Sequence, residues 1–138
     1  MKSQELKKVE TSKAKAFVLK TIGSIINECD EKIKCYLNYL NDDFLYYFTV
    51  NVKSHVICTM KKQLFKQLLG WVEAEDNDEN IVDLLDRNVE FMSNELLNYR
   101  RTQSTNELYN LKEEYKLEMY SKLIPLYKQI SKKAKLLV

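Results

Sequence analysis

The sequence predicts an all-α fold: an elongated antiparallel four-helix bundle forming a single domain over residues 1–138. Three observations carry this reading. Apolar residues recur at steps of three and four in four long blocks, and polar gaps separate the blocks. The chain holds only 2 Gly and 1 Pro, too few for the turns of most β folds. Hydrophobic residues make up 45% of the chain, enough at this length to bury one core without a metal or a disulfide.

The first block runs from about Gln4 to Leu40. Its expected core stripe is Leu6, Val9, Ala16, Gly23, Ile26, Ile33, Leu37 and Leu40, widened by Leu19, Ile22 and Cys29. The pattern leaves open whether this block is one helix or two broken near Asp30. Asn41-Asp42-Asp43 supplies a stop and a new N-cap, with acids in the first turn.

The second block runs from about Asp43 to Val72, with Leu45, Phe48, Val52, Val56, Met60, Leu64, Leu68 and Trp71 as its expected core face. A strand reading competes over 44–52, where Phe44, Tyr46, Phe48, Val50 and Val52 alternate with more polar neighbours. No second strand-like segment is present to satisfy its backbone, so helix is the reading adopted.

Glu73 to Asn80 is the one long polar run and is expected as the main loop, with Asp76-Asn77-Asp78 capping the next helix. The third block, about Glu79 to Arg101, places Ile81, Leu85, Val89, Met92, Leu96 and Tyr99 on one face. Thr102 to Thr105 reads as a loop, and Ser104 with Glu107 forms a capping-box pattern. The fourth block begins near Thr105 and keeps Leu108, Leu111, Tyr115, Met119, Leu123, Leu126, Ile130, Ala134 and Leu137 in phase. Pro125 sits inside it. The apolar phase holds across the proline, which predicts a bend and not an end.

Composition also restricts the chemistry. With Gly23 and Gly70 as its only glycines, the chain cannot form a Walker loop, a dinucleotide fingerprint or a nucleophile elbow. One histidine, His55, excludes a two-histidine zinc enzyme, and no Glu stands three residues before it for a ferritin-like site. Cys29, Cys35, His55 and Cys58 form the best zinc candidate, but their spacing lacks a knuckle. Packing of Cys29 and Cys58 as small hydrophobes is the favoured alternative. A Cys58 thiolate activated by His55 lacks an evident oxyanion donor. No cofactor and no catalytic or metal site is therefore expected, and the chain is read as non-enzymatic.

Net charge is +2, and the cations are 19 Lys against 3 Arg, which disfavours nucleic acid as a partner. Charge is nonetheless segregated. Residues 73–95 hold nine acids against Arg87, and residues 112–138 hold seven Lys against three Glu. Solvated faces explain this most simply, while steering of a partner or a second copy is the sharper reading. An odd cysteine count without a close pair suggests reduced thiols and a cytoplasmic setting. No apolar stretch reads as a signal-peptide core or a transmembrane helix.

The nine tyrosines are the most unusual feature. Tyr109, Tyr120, Ile124 and Tyr127 form a line beside the main stripe of the last helix, with Lys128 and Lys132 adjoining it. Tyrosine buries apolar area while keeping a polar tip, so this line is the expected partner-binding surface, for another protein or for self-association. Simple filling of a bulky core is the competing account. A peripheral membrane contact through the Lys-rich last helix is the alternative function.

Overall fold

The structure is a computed structural model that describes residues 11–99 and 105–138. Its elements are α1 (Lys13–Asp42), a short α2 (Phe44–Tyr46), a π-helical turn (Tyr47–Asn51), α3 (Val52–Ala74), α4 (Asp78–Asn98) and α5 (Glu107–Leu137). The described residues contain no strand, so the 44–52 segment is helical.

Local sequence accounts for most of the boundaries. Ser12 caps α1, its hydroxyl accepting the Lys15 amide at 3.0 Å, and Asp43 caps α2 by accepting the Tyr46 amide at 3.2 Å. Asn77 caps α4 and Asn106 caps α5 in the same way, each at 3.1 Å. The expected start at Gln4 lies outside the described residues, as do Leu6, Val9 and Ser104. The expected capping box is corrected: Asn106 is the N-cap of α5 and Glu107 its first helical residue, so Glu107 is not placed to close a box with Ser104. The first block is one unbroken helix past Asp30, and α5 continues through Pro125. The loop expected over Glu73–Asn80 shrinks to residues 75–77.

The helices run up, down, up and down. Antiparallel α1 and α3 are fixed by Tyr36 against His55, by Cys29 against Cys58 and by the Lys62–Asp30 ion pair. Antiparallel α4 and α5 are joined through Asp86, which accepts the Ser131 hydroxyl at 2.6 Å and pairs with Lys135 at 3.1 Å. The last helix α5 packs on α1, α3 and α4, most extensively on α4. At about 1.5 Å per residue, the 30-residue α1 is roughly 45 Å long, which gives the bundle its elongation.

The core occupies only part of that length. It is built from Val18, Ile22, Ile25 and Cys29 of α1, Cys58, Phe65, Leu68 and Val72 of α3, Ile81, Val82, Leu85 and Met92 of α4, and Met119 to Ala134 of α5. Expected faces are corrected on every block. Tyr99 of the third and Leu108, Leu111 and Leu137 of the fourth are exposed, because they lie at helix ends that no other helix covers among the described residues. On α1, Val18 and Ile25 are buried, whereas Ala16 and Leu37 are exposed. On the second block, Leu45, Phe48, Val56 and Trp71 are exposed, and Cys58, Phe65 and Val72 replace them.

The physical reason is precession. A step of four residues overshoots a 3.6-residue turn by about 40°. Five consecutive steps of four from Phe48 to Leu68 therefore carry the stripe roughly halfway around the helix. The π turn adds a further offset, because the Val52 amide bonds to the Tyr47 carbonyl, five residues back.

Candidate interaction surface

The region most open to a partner is the end of the bundle where α1 hands over to α3. Lys53 of α3 pairs with Glu118 of α5 at 2.7 Å and lies over the Tyr115 ring. Lys53 and Phe65 of α3 meet Glu118 and Tyr127 of α5 in the same order along both helices, so α3 and α5 run parallel and the N-terminal turns of α5 lie at the same end as the α2 corner. Tyr120 of α5 meets Phe91 of α4, so the C-terminal turns of α4 reach the same end. Beyond Cys29, Cys58, Met92 and Met119 the only buried apolar side chain among the described residues is Tyr47.

Most of the exposed large apolar side chains gather on this end. Phe44, Leu45, Phe48 and Val50 project from the corner, with Leu37 and Tyr39 below them. Leu97 extends from α4, and Leu108, Tyr109 and Leu111 extend from α5. Leu45 and Leu108 are both largely in solvent, at 75% and 77% exposure. Apolar side chains exposed singly are ordinary, but a cluster such as Phe44 stacked on Phe48 with Leu45 beside them makes a candidate contact site.

Aromatic contacts hold this end in shape. Phe44 stacks on Phe48 at 6.0 Å between centroids, and Tyr39 leans on Tyr46 at 5.0 Å. The Tyr47 hydroxyl and His55 Nδ1 share a hydrogen bond of 2.6 Å, and Tyr36 covers the imidazole. Among the described residues the Asn51 side-chain amide nitrogen, within the π turn, is buried without a hydrogen-bond partner. Such a group costs on the order of 1–3 kcal/mol, so the corner is also a weak point.

The structure separates the expected surface of the last helix. Tyr120 and Tyr127 are core side chains, at 7% and 2% exposure, and their assignment to a partner surface is corrected. Tyr127 packs on Phe65 at 5.2 Å. Burial pushes both phenols above their ordinary range, with Lys116 opposing the effect at Tyr120. The cause is that α5 has neighbours on three sides: α1, α3 and α4 cover a wider arc of it than the main apolar stripe. Ile124 is half-buried against the core. Tyr109 remains exposed under the Lys112 ammonium, 4.5 Å away, and Lys128 and Lys132 are exposed on a different stretch of the helix. Tyr109 and Tyr127 lie 18 residues apart, about 27 Å along the axis, so they do not share one contact patch.

The segregated charges also meet inside the chain. Asp86 of the acidic stretch holds Lys135 of the basic stretch, and Glu95 adds to the field that raises the Lys116 pKa against its desolvation.

The residues considered for chemistry are divided as well. Cys58 Sγ donates to the Cys29 carbonyl at 3.6 Å, Cys35 is exposed, and His55 is engaged with Tyr47. Among the described residues no three His, Cys, Asp or Glu side chains converge as metal ligands. Burial, aided by Cys58, pushes the Cys29 thiol up to about 11, which keeps it protonated at neutral pH.

Sequence reasoning placed Leu45 and Phe48 in the core and so missed this surface. The signal was present in the unbroken run of four-residue steps, which no straight helix can bury on one side. Comparison with known proteins finds no family model, no curated relative and no solved structure that matches this chain. No described helix is long and apolar enough to cross a membrane.

Proposed function

We propose that this chain is a non-enzymatic helical interaction module that docks an apolar surface of another protein on the open end of its bundle. One observation carries the reading: Phe44, stacked on Phe48, and Leu45 are exposed at the corner where the buried core has ended, and Leu108 is exposed toward the same end. Aromatic and aliphatic anchors of this kind dominate binding energy at protein interfaces. The three free thiols suit a reducing intracellular compartment, and a role as adaptor, assembly subunit or sequestering factor fits docking without chemistry.

A second copy of the chain is the first occupant to test. Light scattering on a sizing column measures the absolute mass of the full chain and of the Leu45→Glu/Phe48→Glu variant. A mass of 16.4 kDa describes one chain. A larger assembly reduced to this mass by the double substitution, with unchanged helicity, supports the reading and assigns the partner. An assembly that the substitution leaves intact removes the open end from it.

The Lys-rich end of α5 supports a second reading, contact with an anionic membrane. Leu136 and Val138 are exposed beside Lys132 and Lys133. Cosedimentation with phosphatidylserine vesicles that vanishes at high salt is the expected signature, and salt-insensitive sedimentation excludes it.

A further inference from the structure

A second feature is independent of the open end. A cleft of about 410 Å³ opens between α1, α3 and α5, and α4 contributes nothing to its lining. That volume falls within the usual range for small-molecule sites. Its floor is apolar: the Cys29 and Cys58 thiols, Met119 and Leu123 are buried, and Ile57 and Leu126 are half-buried beside them. Its rim carries Lys32, Lys53, Lys61 and Lys122 against Glu28 and Glu118, an excess of two positive charges.

The cations are not equivalent. Glu118 pairs with Lys53 at 2.7 Å and with Lys122 at 3.9 Å, so those three groups largely satisfy one another. Lys32 and Lys61 have no carboxylate within ion-pair distance among the described residues. They stand on α1 and α3, on opposite walls, and both fields reach the Cys29 thiol on the floor. Glu28 shares the rim with them, so Lys32 and Lys61 leave a net positive charge above an apolar floor, which suits a ligand with an anionic head and a hydrocarbon body.

We propose that this cleft binds a small amphipathic carboxylate of the medium-chain fatty acid class, its head between Lys32 and Lys61 and its chain along Ile57, Leu123 and Leu126. The head displaces water from cations that form no ion pair with a described residue, and the chain covers half-buried carbons that water otherwise wets. A like-sized neutral alcohol gains only the second of these effects. An acyl chain presented by an anionic bilayer shares the same chemistry, so the source needs its own control.

The test is calorimetric titration of the full chain with monomeric decanoate, with decanol and with anionic phosphatidylglycerol vesicles. Saturable one-site binding of decanoate is expected, at least tenfold tighter than decanol. The Lys32→Glu/Lys61→Glu variant is expected to lose at least tenfold in affinity with its helicity and Tm unchanged. In a Cys35→Ser background, decanoate is further expected to slow modification of Cys29 and Cys58 by a thiol reagent. Equal affinity for decanoate and decanol overturns the proposal, and this control needs no variant to fold. So does decanoate binding that survives the charge reversal or leaves the thiols unprotected, or binding to vesicles with none to decanoate.

Discussion

The two ends of this bundle are made of the same kind of residue and behave differently. At the closed end, Phe65, Leu68, Val72, Ile81, Leu85 and Ala134 interlock from three helices, and polar groups tie the helix termini together. Ser12 accepts the Lys15 amide and donates to Asp78 at 2.5 Å, joining the first turns of α1 and α4. Lys15 donates to the Glu73 carbonyl at 3.0 Å and meets Asp76 at 3.3 Å, gathering the α3–α4 turn. At the open end, Phe44, Leu45 and Phe48 are exposed, and among the described residues no helix covers them. Apolar content alone does not make a core. Burial needs a second surface at packing distance, and only the closed end has elements on all sides.

Removing a ring from each end is the largest test of that contrast. Phe65 is fully buried, so Phe65→Ala is expected to cost about 3–5 kcal/mol in chemical denaturation. Phe48→Ala is expected to change stability by less than about 0.5 kcal/mol. Similar losses for the two would mean that the open end is packed in solution.

Alkaline pH probes the closed end next. Burial raises the Tyr127 phenol above its ordinary value of 10.0, so the folded state holds a proton that the unfolded chain releases. Its contribution to stability is complete below pH 10 and falls as pH rises above it. By linkage the loss between pH 10 and pH 11 is on the order of 1 kcal/mol. Cys29, pushed up to about 11 from 9.0, works in the same direction and begins to act at lower pH. Thermal melts at pH 8 and pH 11 are expected to converge in Tyr127→Phe relative to the parent chain. An unaltered pH difference would place the sensitivity elsewhere.

Two smaller effects distinguish the ends in opposite senses. Ser12→Ala removes a cap and the partner of Asp78, and is expected to lower stability by about 1 kcal/mol. Asn51→Leu removes an unpartnered buried amide from the π turn, and is expected to raise stability by about 1 kcal/mol. A loss at Asn51 would show that its amide bonds within the folded chain in solution.

Much of the fold was legible in the residues. Asp43, Asn77 and the Asn41-Asp42-Asp43 stop are local signals, and they mark helix ends where the structure has them. The middle of the α4 and α5 faces was legible too, because Ile81, Leu85, Val89 and Met92 mix steps of three and four and so stay on one side, while Tyr99, Leu108, Leu111 and Leu137 at the helix ends are exposed against expectation. The candidate surface was not. Leu45 and Phe48 continue an apolar pattern, and a pattern does not state where its covering helix ends. Tyr120 and Tyr127 failed for the complementary reason: a second apolar line on α5 is a surface on a peripheral helix and core on one with neighbours on three sides.

By itself, the sequence determined the number of helices, their order and most of their limits, since spacing and capping act within a few residues of one another. The tertiary structure decided which faces are buried, which tyrosines meet solvent, that Asp86 neutralises Lys135, and that Lys32 and Lys61 flank a cleft. Those outcomes depend on which helix lies beside which. Covering a face and pairing a charge are contacts between residues far apart in the chain, and no local period encodes them.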